Sequence, residues 1–331
     1  MSEATPKPKK KKKKKPKSLW RYRAEYFAFR AVVCVIDMLP FRASVKAAEG
    51  LAWCVFHVLP KKMTRYHVAA ENIRTAFGES VPDAEVDRII LGMWKHLFRM
   101  VVEIVQIPRK FRLDNCAEFL NFRHRDETIK AMCSGRPVMV LSGHFGNWEM
   151  AISTFGVFGY PMGVVARDLD NPYLHEWFRQ WRMRTGHQLL SKKGGGSDMV
   201  QYMEHRGNLG LLADQDAGKK GLFVPFFGKP ASTFKSVALL ALQYRAVLLV
   251  GYARRLPDDF INRRWVKFEL GTEEVIDSAD FDGPNAVREL TEAYTTALER
   301  VVRLAPEQYF WVHRRWKSEP RVRKQRQRQA A

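Results

Sequence analysis

The stretch Leu141–Met150 brings a histidine, a glutamate and two glycines together in the order Leu-Ser-Gly-His-Phe-Gly-Asn-Trp-Glu-Met. It follows the apolar run Val138–Leu141 and opens a predicted helix, so we expect a rigid, exposed corner where a strand ends. His144 at that corner can accept a proton from an attacking hydroxyl, because an unperturbed imidazole has a pKa of about 6.5. We expect Glu149 to hold this imidazole in one tautomer and to stabilise the imidazolium. The alternative is a histidine whose hydrogen bonds are merely satisfied beside a helix start.

The chemistry predicted for this corner is direct transfer of a group between two substrates. Neither a serine nor a cysteine nucleophile is needed if one substrate supplies the hydroxyl and His144 acts as the base. The remaining histidines do not have the spacing of a metal site, since the sequence contains no H-E-x-x-H. We therefore predict a site that uses no metal.

The elements that must position this corner follow from an alternation of short apolar runs with helix-like segments after Pro108. Such alternation is typical of an α/β sheet covered on both faces, with the site at the carboxyl ends of the strands. Asp214 and Asp216 also follow an apolar run, so we expect them to border the same cleft and to orient an arginine or bind sugar hydroxyls. An ordinary turn rich in Asp and Gly is the alternative. The predicted strands are Val138–Leu141, Gly163–Ala166, Leu209–Ala213 and Ala246–Tyr252.

Two helices of the main domain are predicted with particular clarity. Apolar residues recur at three- and four-residue spacing from Val86 to Val105, which predicts a long amphipathic helix whose stripe belongs to the core. Asn171 followed by Pro172 predicts a second helix start, because a capping side chain precedes a residue suited to the first helical position.

The amino-terminal segments Tyr26–Leu39 and Ala43–Leu59 are mostly apolar, and Pro40 separates them. They predict two helices that lie on, or dip into, a bilayer, beside the run Lys9–Lys15 that anionic lipid would attract. The alternative is two ordinary core helices behind a solvated tail. We divide the chain into a disordered Lys-rich tail (1–18), membrane-associated helices (19–62), a catalytic domain (63–318) and a basic disordered tail (319–331).

The net charge of +21 on 331 residues is concentrated at the two ends of the chain. Residues 1–23 hold nine Lys, two Arg and one Glu, and residues 313–331 hold eight Lys or Arg and one Glu, so residues 24–312 carry only +4. Basic tails bind polyanions without specificity, so a non-catalytic polyanion-binding protein is the less favoured alternative and no specific nucleic-acid partner is expected. The four cysteines lack C-x-x-C spacing, and we expect reduced, mostly buried thiols.

Several motifs occur in an order that resembles one known family. The stretch Gly143–Glu149, Gly-His-Phe-Gly-Asn-Trp-Glu, is similar to the signature of the lipid A biosynthesis lauroyl/myristoyl acyltransferases, a branch of the H-x-x-x-x-D/E glycerolipid acyltransferases. The resemblance covers roughly residues 19–318, and the long lysine run is not part of the pattern. The other motifs that carry it are Asn72–Phe77, Arg167 with Asn171-Pro172 and Arg182-Met-Arg184, Asp214-Gln-Asp216 with Phe223–Phe227, and Pro306–Trp311 with His313-Arg-Arg315.

This resemblance implies an acyltransferase with a mixed α/β sheet flanked by helices, at the cytoplasmic face of the cell inner membrane. It implies transfer of a fatty acyl group from an acyl-carrier-protein thioester to a hydroxyl of a membrane glycolipid, a lipid A precursor, with neither metal nor organic cofactor. Another glycolipid or a lysophospholipid is the alternative acceptor. His144 falls at the position of the base, and Arg167 and Arg184 fall where the family's substrate-binding arginines lie. Asn147, inside the signature, is a further substrate-binding candidate.

Overall fold

The computed structural model of the protein describes residues 18–191, 196–318 and 320. The Lys-rich run and the Arg-rich carboxyl end lie outside these residues, so their predicted disorder stays a prediction. Within the described residues the helices are α1 (Leu19–Met38), α2 (Phe41–His57), α3 (Tyr66–Phe77), α4 (Asp83–Lys110), α5 (Cys116–Phe119), α6 (Arg125–Met132), α7 (Trp148–Val157), α8 (Pro172–Met183), α9 (Gly196–Glu204), α10 (Lys235–Tyr244) and α11 (Ala286–Leu304). The strands are β1 (Leu120–Arg123), β2 (Val138–Ser142), β3 (Met162–Ala166), β4 (Gln188–Ser191), β5 (Asn208–Leu212), β6 (Leu222–Phe226), β7 (Lys229–Thr233), β8 (Val247–Arg255) and β9 (Phe268–Asp277).

Seven strands form one mixed sheet in the order β1-β9-β8-β2-β5-β3-β4. Neighbours run parallel throughout, except for the long antiparallel pair β8 and β9. Strands β6 and β7 form a separate antiparallel hairpin. The four apolar runs expected to be strands are β2, β3, β5 and β8, so this part of the prediction is confirmed.

Both faces of the sheet are covered, as the alternation of side chains along β2 shows. Met139 and Leu141 belong to the large core that also receives α3, α4, α10 and α11. Val138 and Val140 point to the opposite face and pack among side chains of α6 and α7. The central strand is therefore buried on both sides, which explains why its sequence is a continuous apolar run.

Helix α4 confirms the predicted amphipathic helix and continues two residues past Pro108. Val86 and Met93 of its stripe are fully buried, whereas Val101, which we expected in the core, is exposed. Helix α8 begins where the sequence predicts, because the Asn171 side chain accepts hydrogen bonds from the first backbone N–H groups and Pro172 occupies the first helical position.

Helices α1 and α2 lie on the outside of the domain and present apolar side chains to solvent. Val33 is the one buried residue of α1, while one side of α2 packs against α4. None of the helices in the described part of the chain has the length and apolar composition needed to span a bilayer. The exposed apolar residues between 19 and 63 are Leu19, Trp20, Phe27, Val32, Val35, Met38, Leu39, Leu51, Trp53, Val58, Leu59 and Met63.

The cysteines are all free, and the expectation that most are buried is wrong. Cys34 and Cys54 are exposed on α1 and α2, Cys133 is exposed after α6, and Cys116 is half-buried. The expectation rested on cysteine spacing, which does not report burial. Cys34 and Cys54 lie on helices with one side uncovered.

Candidate active site

His144 and Asp214 form a hydrogen-bonded pair at the carboxyl edge of the sheet. Strands β2 and β5 are parallel neighbours in which Ser142 pairs with Leu212, so the residues two positions further along each chain face each other. Nδ1 of His144 lies 2.7 Å from Oδ1 of Asp214, and the backbone N–H of His144 donates to Oδ2 at 2.7 Å. One carboxylate thus holds both the imidazole and the main chain of the histidine.

The ionisation of Asp214 and the orientation of the imidazole suit a general base. Asp214 is buried, which by itself would raise its pKa, but its electrostatic interaction with His144 and the two hydrogen bonds from that residue lower the pKa well below the usual value. The ionised carboxylate therefore accepts Nδ1–H, which leaves the lone pair on Nε2. The side-chain amide nitrogen of Gln215 lies 3.3 Å from Nε2 and suits a donor to that lone pair.

The turn that carries His144 is held by the carboxyl-terminal segment. The N–H of Phe310 donates to the carbonyl of His144 at 3.0 Å, and the N–H of Gly146 donates to the carbonyl of Gln308 at 3.0 Å. Gly146 has a φ of +56°, and a Cβ there would lie 2.2 Å from the Ala253 carbonyl oxygen. Only glycine fits this point of the turn, because a side chain would be both strained and in collision.

A buried polar cluster supports the same turn from α4. His96 Nε2 lies 3.1 Å from the Gly146 carbonyl oxygen, and the guanidinium of Arg255 lies 2.8 Å from His96 Nδ1. Burial lowers the pKa of His96 well below its usual value, so the ring is neutral and donates through Nε2. Arg255 in turn is paired with fully buried Glu103 at 2.5 Å.

Asn147 belongs to this cluster rather than to the substrate cleft, so its assignment as a substrate-binding residue is corrected. Its side chain is fully buried, donates to Glu103 at 2.9 Å, and accepts the N–H of Met150 at 2.9 Å as the cap of α7. Asparagine is favoured at this position because its oxygen satisfies an unpaired N–H of the first helical turn. Both polar atoms of this side chain are hydrogen-bonded within the protein, and none of its surface is exposed to a ligand.

Glu149 does not take the position that the sequence suggested beside the imidazole. Its carboxylate forms an ion pair with Arg182 of α8 at 2.5 Å, and both side chains are largely buried. Glu149 lies in the first turn of α7, whose direction carries its side chain away from His144 and towards α8. Asp214, which we expected to contact substrate, occupies the place expected for Glu149.

The two arginines selected from the sequence occupy different surroundings. Arg167 follows β3 at the carboxyl edge of the sheet, is 72% exposed, and lies 3.7 Å from Asp170. Arg184 is exposed at the end of α8, where it borders a small hollow with Arg112 and Thr185. Arg182, two residues earlier, is the arginine that reaches Glu149, and substrate binding by Arg184 stays a prediction.

Asp216 shapes the loop after β5. Its Oδ2 accepts from the Gly218 N–H at 3.2 Å and from the Ser318 hydroxyl at 3.1 Å, as in the turn that we weighed as the alternative. Its Oδ1 is buried and has no hydrogen-bond partner among the described residues. The contacts seen for Asp216 are thus with the chain itself.

His313 is a second histidine beside the pair, and no function was predicted for it. Its ring centroid lies 6.0 Å from that of His144, and burial lowers its pKa, so the ring is neutral. Neither ring nitrogen has a hydrogen-bond partner within the described part of the chain. The histidine stands in the motif His313-Arg-Arg315, so a signal was present, but nothing in the sequence placed it near residue 144.

An apolar cavity of about 550 Å³ lies between the sheet and helices α6 and α7. Trp148 lines it, and the Trp148 ring centroid is 5.2 Å from that of His144. The Glu149–Arg182 pair forms part of the same wall. Side chains of β2, β3, β5 and β8 form the floor, and Trp148 is the residue that borders both the cavity and the His144 ring.

An α/β sheet with a histidine–carboxylate pair close to an apolar cavity has two parts of an enzyme site, a candidate base and a pocket for an apolar group. The chain belongs to the bacterial lipid A biosynthesis acyltransferases, whose family model matches residues 10–318. The resemblance seen in the motifs is thereby confirmed, and the protein is an acyltransferase.

Three curated relatives illustrate the range of this similarity. A lipid A biosynthesis acyltransferase of Haemophilus influenzae is 23% identical over 84% of this chain and 83% of its own length. The lipid A biosynthesis lauroyltransferase of Escherichia coli is 28% identical over 56% of this chain and 58% of its own. A phosphatidylinositol mannoside acyltransferase of Mycobacterium tuberculosis is 26% identical over 70% of each chain.

Proposed function

We propose that this protein transfers a fatty acyl group from an acyl-carrier-protein thioester to a hydroxyl of a membrane glycolipid, with His144 as the general base. The observation that carries the proposal is the Asp214–His144 pair, which leaves Nε2 of the imidazole able to take a proton. The acceptor hydroxyl loses its proton to Nε2 as its oxygen attacks the thioester carbonyl carbon. The thiolate then leaves as the tetrahedral intermediate collapses, and the proton on the imidazolium passes to that sulfur.

The apolar cavity supports a fatty acyl chain as the transferred group. Its volume lies within the range of about 300–1,000 Å³ that is usual for small-molecule sites, and its lining is mainly aliphatic and aromatic. Because Trp148 belongs both to the cavity wall and to the surroundings of His144, a chain in the cavity would hold its carbonyl carbon near the base.

A lipid A precursor is the acceptor that we favour, and the names of the lipid A relatives support it. The mycobacterial relative, named for a phosphatidylinositol mannoside, favours another glycolipid as the second candidate. Arg167 is the residue that we propose for an anionic head group, because it is exposed at the carboxyl edge of the sheet and a planar guanidinium binds phosphate oxygens in pairs.

We also propose attachment to the cytoplasmic face of the inner membrane through α1 and α2. A cluster of exposed apolar residues on adjoining helices is characteristic of a surface that binds another apolar phase. The neighbouring lysine run would add attraction to anionic lipid of about 1 kcal/mol for each charge near the surface.

The deciding experiment incubates the purified protein with acyl-carrier-protein thioesters and a panel of acceptors: lipid A precursors, phosphatidylinositol mannoside and lysophospholipids. We expect acylation of a glycolipid hydroxyl, detected by mass spectrometry. His144→Ala should lower the rate by about 100- to 10,000-fold, the usual contribution of a general base, while the melting curve stays close to that of the wild type.

His205→Ala is the matched control, because that histidine is exposed after α9 and bonds to the Gln201 carbonyl, away from the site. It should leave the rate unchanged. More than about a tenth of the wild-type rate in His144→Ala would contradict the base assignment. Absence of any acylated product with all donors and acceptors would contradict the function itself.

A further inference from the structure

The floor of the apolar cavity is built in two levels that the strand register defines. The deeper level contains Leu249 on β8, Val140 on β2, Gly210 on β5 and Val164 on β3, which pair with one another across the sheet. The upper level lies two residues nearer the carboxyl ends. It contains Gly251, Ser142, Leu212 and Ala166 on the same four strands.

Gly251 lies on β8, the strand between the two groups of strands that line the cavity. Strands β2, β5 and β3 lie on one side of β8 and carry the part of the cavity on the side of His144 and Asp214, which follow β2 and β5. Strands β9 and β1 lie on the other side of β8 and contribute Gly271, Thr272 and Arg123 to the wall. A side chain at position 251 would stand between these two parts.

The fold itself does not require a glycine at position 251. Its φ is not in the left-handed region, and the nearest atom to an added Cβ is the Gly271 carbonyl oxygen at 3.5 Å, which is ordinary contact. Other strand glycines on the sheet are confined by their neighbours: a Cβ on Gly210 would lie 2.8 Å from Met162 Sδ, and one on Gly163 would lie 2.7 Å from Leu190. The space beside Gly251 is therefore unfilled cavity.

The irregularity in the β8–β9 ladder does not account for this glycine either. The register shifts between Val250 and Gly251, with the additional residue on β9. Bulges that depend on glycine use it in the left-handed conformation, which Gly251 does not adopt. Glycine inside a strand weakens the strand, and such a position is often one that a ligand approaches closely.

We propose that Gly251 is a specificity-determining residue, which keeps the two parts of the cavity joined and so sets the length of acyl chain that the enzyme accepts. The inference rests on the proposed function, because it assigns the occupant of the cavity as the acyl chain. Side chains of increasing size at position 251 close the part under β9 and β1 and leave the part under β2, β5 and β3 open. Longer donors then lose their distal methylenes from the cavity, while short donors still fit.

The test is a series of Gly251→Ala, Gly251→Val and Gly251→Leu, assayed with saturated acyl-carrier-protein thioesters from octanoyl to palmitoyl and one acceptor. For each methylene that the new side chain excludes from the cavity, kcat/KM should fall about fourfold relative to that of the shortest donor. The length profile should move stepwise towards shorter chains from alanine to leucine. The rate with the shortest donor should stay within about threefold of the wild type, because the Asp214–His144 pair is untouched.

Gly283→Val is the matched control, since this glycine lies before α11, has open space around an added Cβ and does not line the cavity. Its length profile should equal that of the wild type. An unchanged profile in Gly251→Leu, or an equal loss with every donor in a protein of unchanged melting temperature, would overturn the proposal. If Gly251→Leu fails to fold, the alanine and valine variants decide in the same way. A wild type that transfers no acyl group from any donor would instead reject the proposed function.

Discussion

Two carboxylates border the histidine turn, and their partners give them different tasks. Asp214 accepts two hydrogen bonds from His144, whereas Glu149 neutralises Arg182. The pKa of Asp214 is lowered in the folded protein, so its interaction stabilises the fold above its unfolded pKa and is lost only as the pH falls through the folded value. At neutral pH Asp214 is ionised, as the proposed role of His144 as a general base requires.

Substitution of Asp214 by asparagine should therefore reduce kcat by about 100- to 10,000-fold, because the imidazole loses the charge that orients and stabilises it. Glu149→Ala should act mainly on stability, since it leaves the largely buried guanidinium of Arg182 without an anion, at a cost of about 3–5 kcal/mol. Steady-state rates and urea unfolding of both variants distinguish the two. Near-normal turnover in Asp214→Asn, together with a folded but inactive Glu149→Ala, would contradict this assignment and indicate that Glu149 orients the imidazole.

Helix α4 acts as an internal support for the turn that carries His144. Its residues His96 and Glu103 reach the turn through Gly146, Arg255 and Asn147. Each member of this cluster is hydrogen-bonded to the next, so the cluster stabilises one conformation of the turn only while it is complete.

Glu103→Ala should lower the free energy of unfolding by about 3–5 kcal/mol, because Arg255 would remain buried without its counter-charge. Glu85→Ala on the same helix is the control, since its ion pair with Arg88 is exposed and should be worth no more than about 1 kcal/mol. Urea unfolding at neutral pH measures both. Equal destabilisation by the two substitutions would show that the buried cluster contributes no more to stability than an exposed ion pair does.

At the scale of the whole molecule, the charge and the apolar surface lie in the same region of the chain. The lysine run precedes α1, which exposes six large apolar side chains, and α2 adds Leu51 and Trp53 to this surface. The two features contribute differently to binding, because attraction between exposed charges is screened by salt and burial of apolar area is not.

Deletion of residues 1–17 should weaken co-sedimentation with anionic vesicles and make it less dependent on salt, without altering turnover on detergent-dispersed substrate. The double variant Trp20→Asp, Phe27→Asp should weaken sedimentation at every salt concentration, because both exposed rings lie on one face of α1. Ile261→Asp is the control, an exposed apolar residue away from these helices. Sedimentation that none of these changes affects would contradict attachment through this region.

The sequence by itself determined the local elements and the position of the turn that carries His144. Apolar runs bounded by turn residues predicted β2, β3, β5 and β8, and the spacing of apolar residues predicted α4, because these patterns follow from how each element buries one or both faces. The turn at His144 was recognised from a histidine between two glycines after a strand. These are properties of neighbouring residues, and neighbouring residues are what a sequence displays.

Only the tertiary structure decided which side chains meet. Asp214 is 70 residues from His144 in the chain, and their contact depends on the pairing of β2 with β5 and on its register. The choice between Arg182 and Arg184 depends on which way α8 faces. The open space at Gly251 depends on every element that surrounds the cavity. Spacing along the chain fixes none of these, because strand order, register and helix rotation are set by the packing of the whole core.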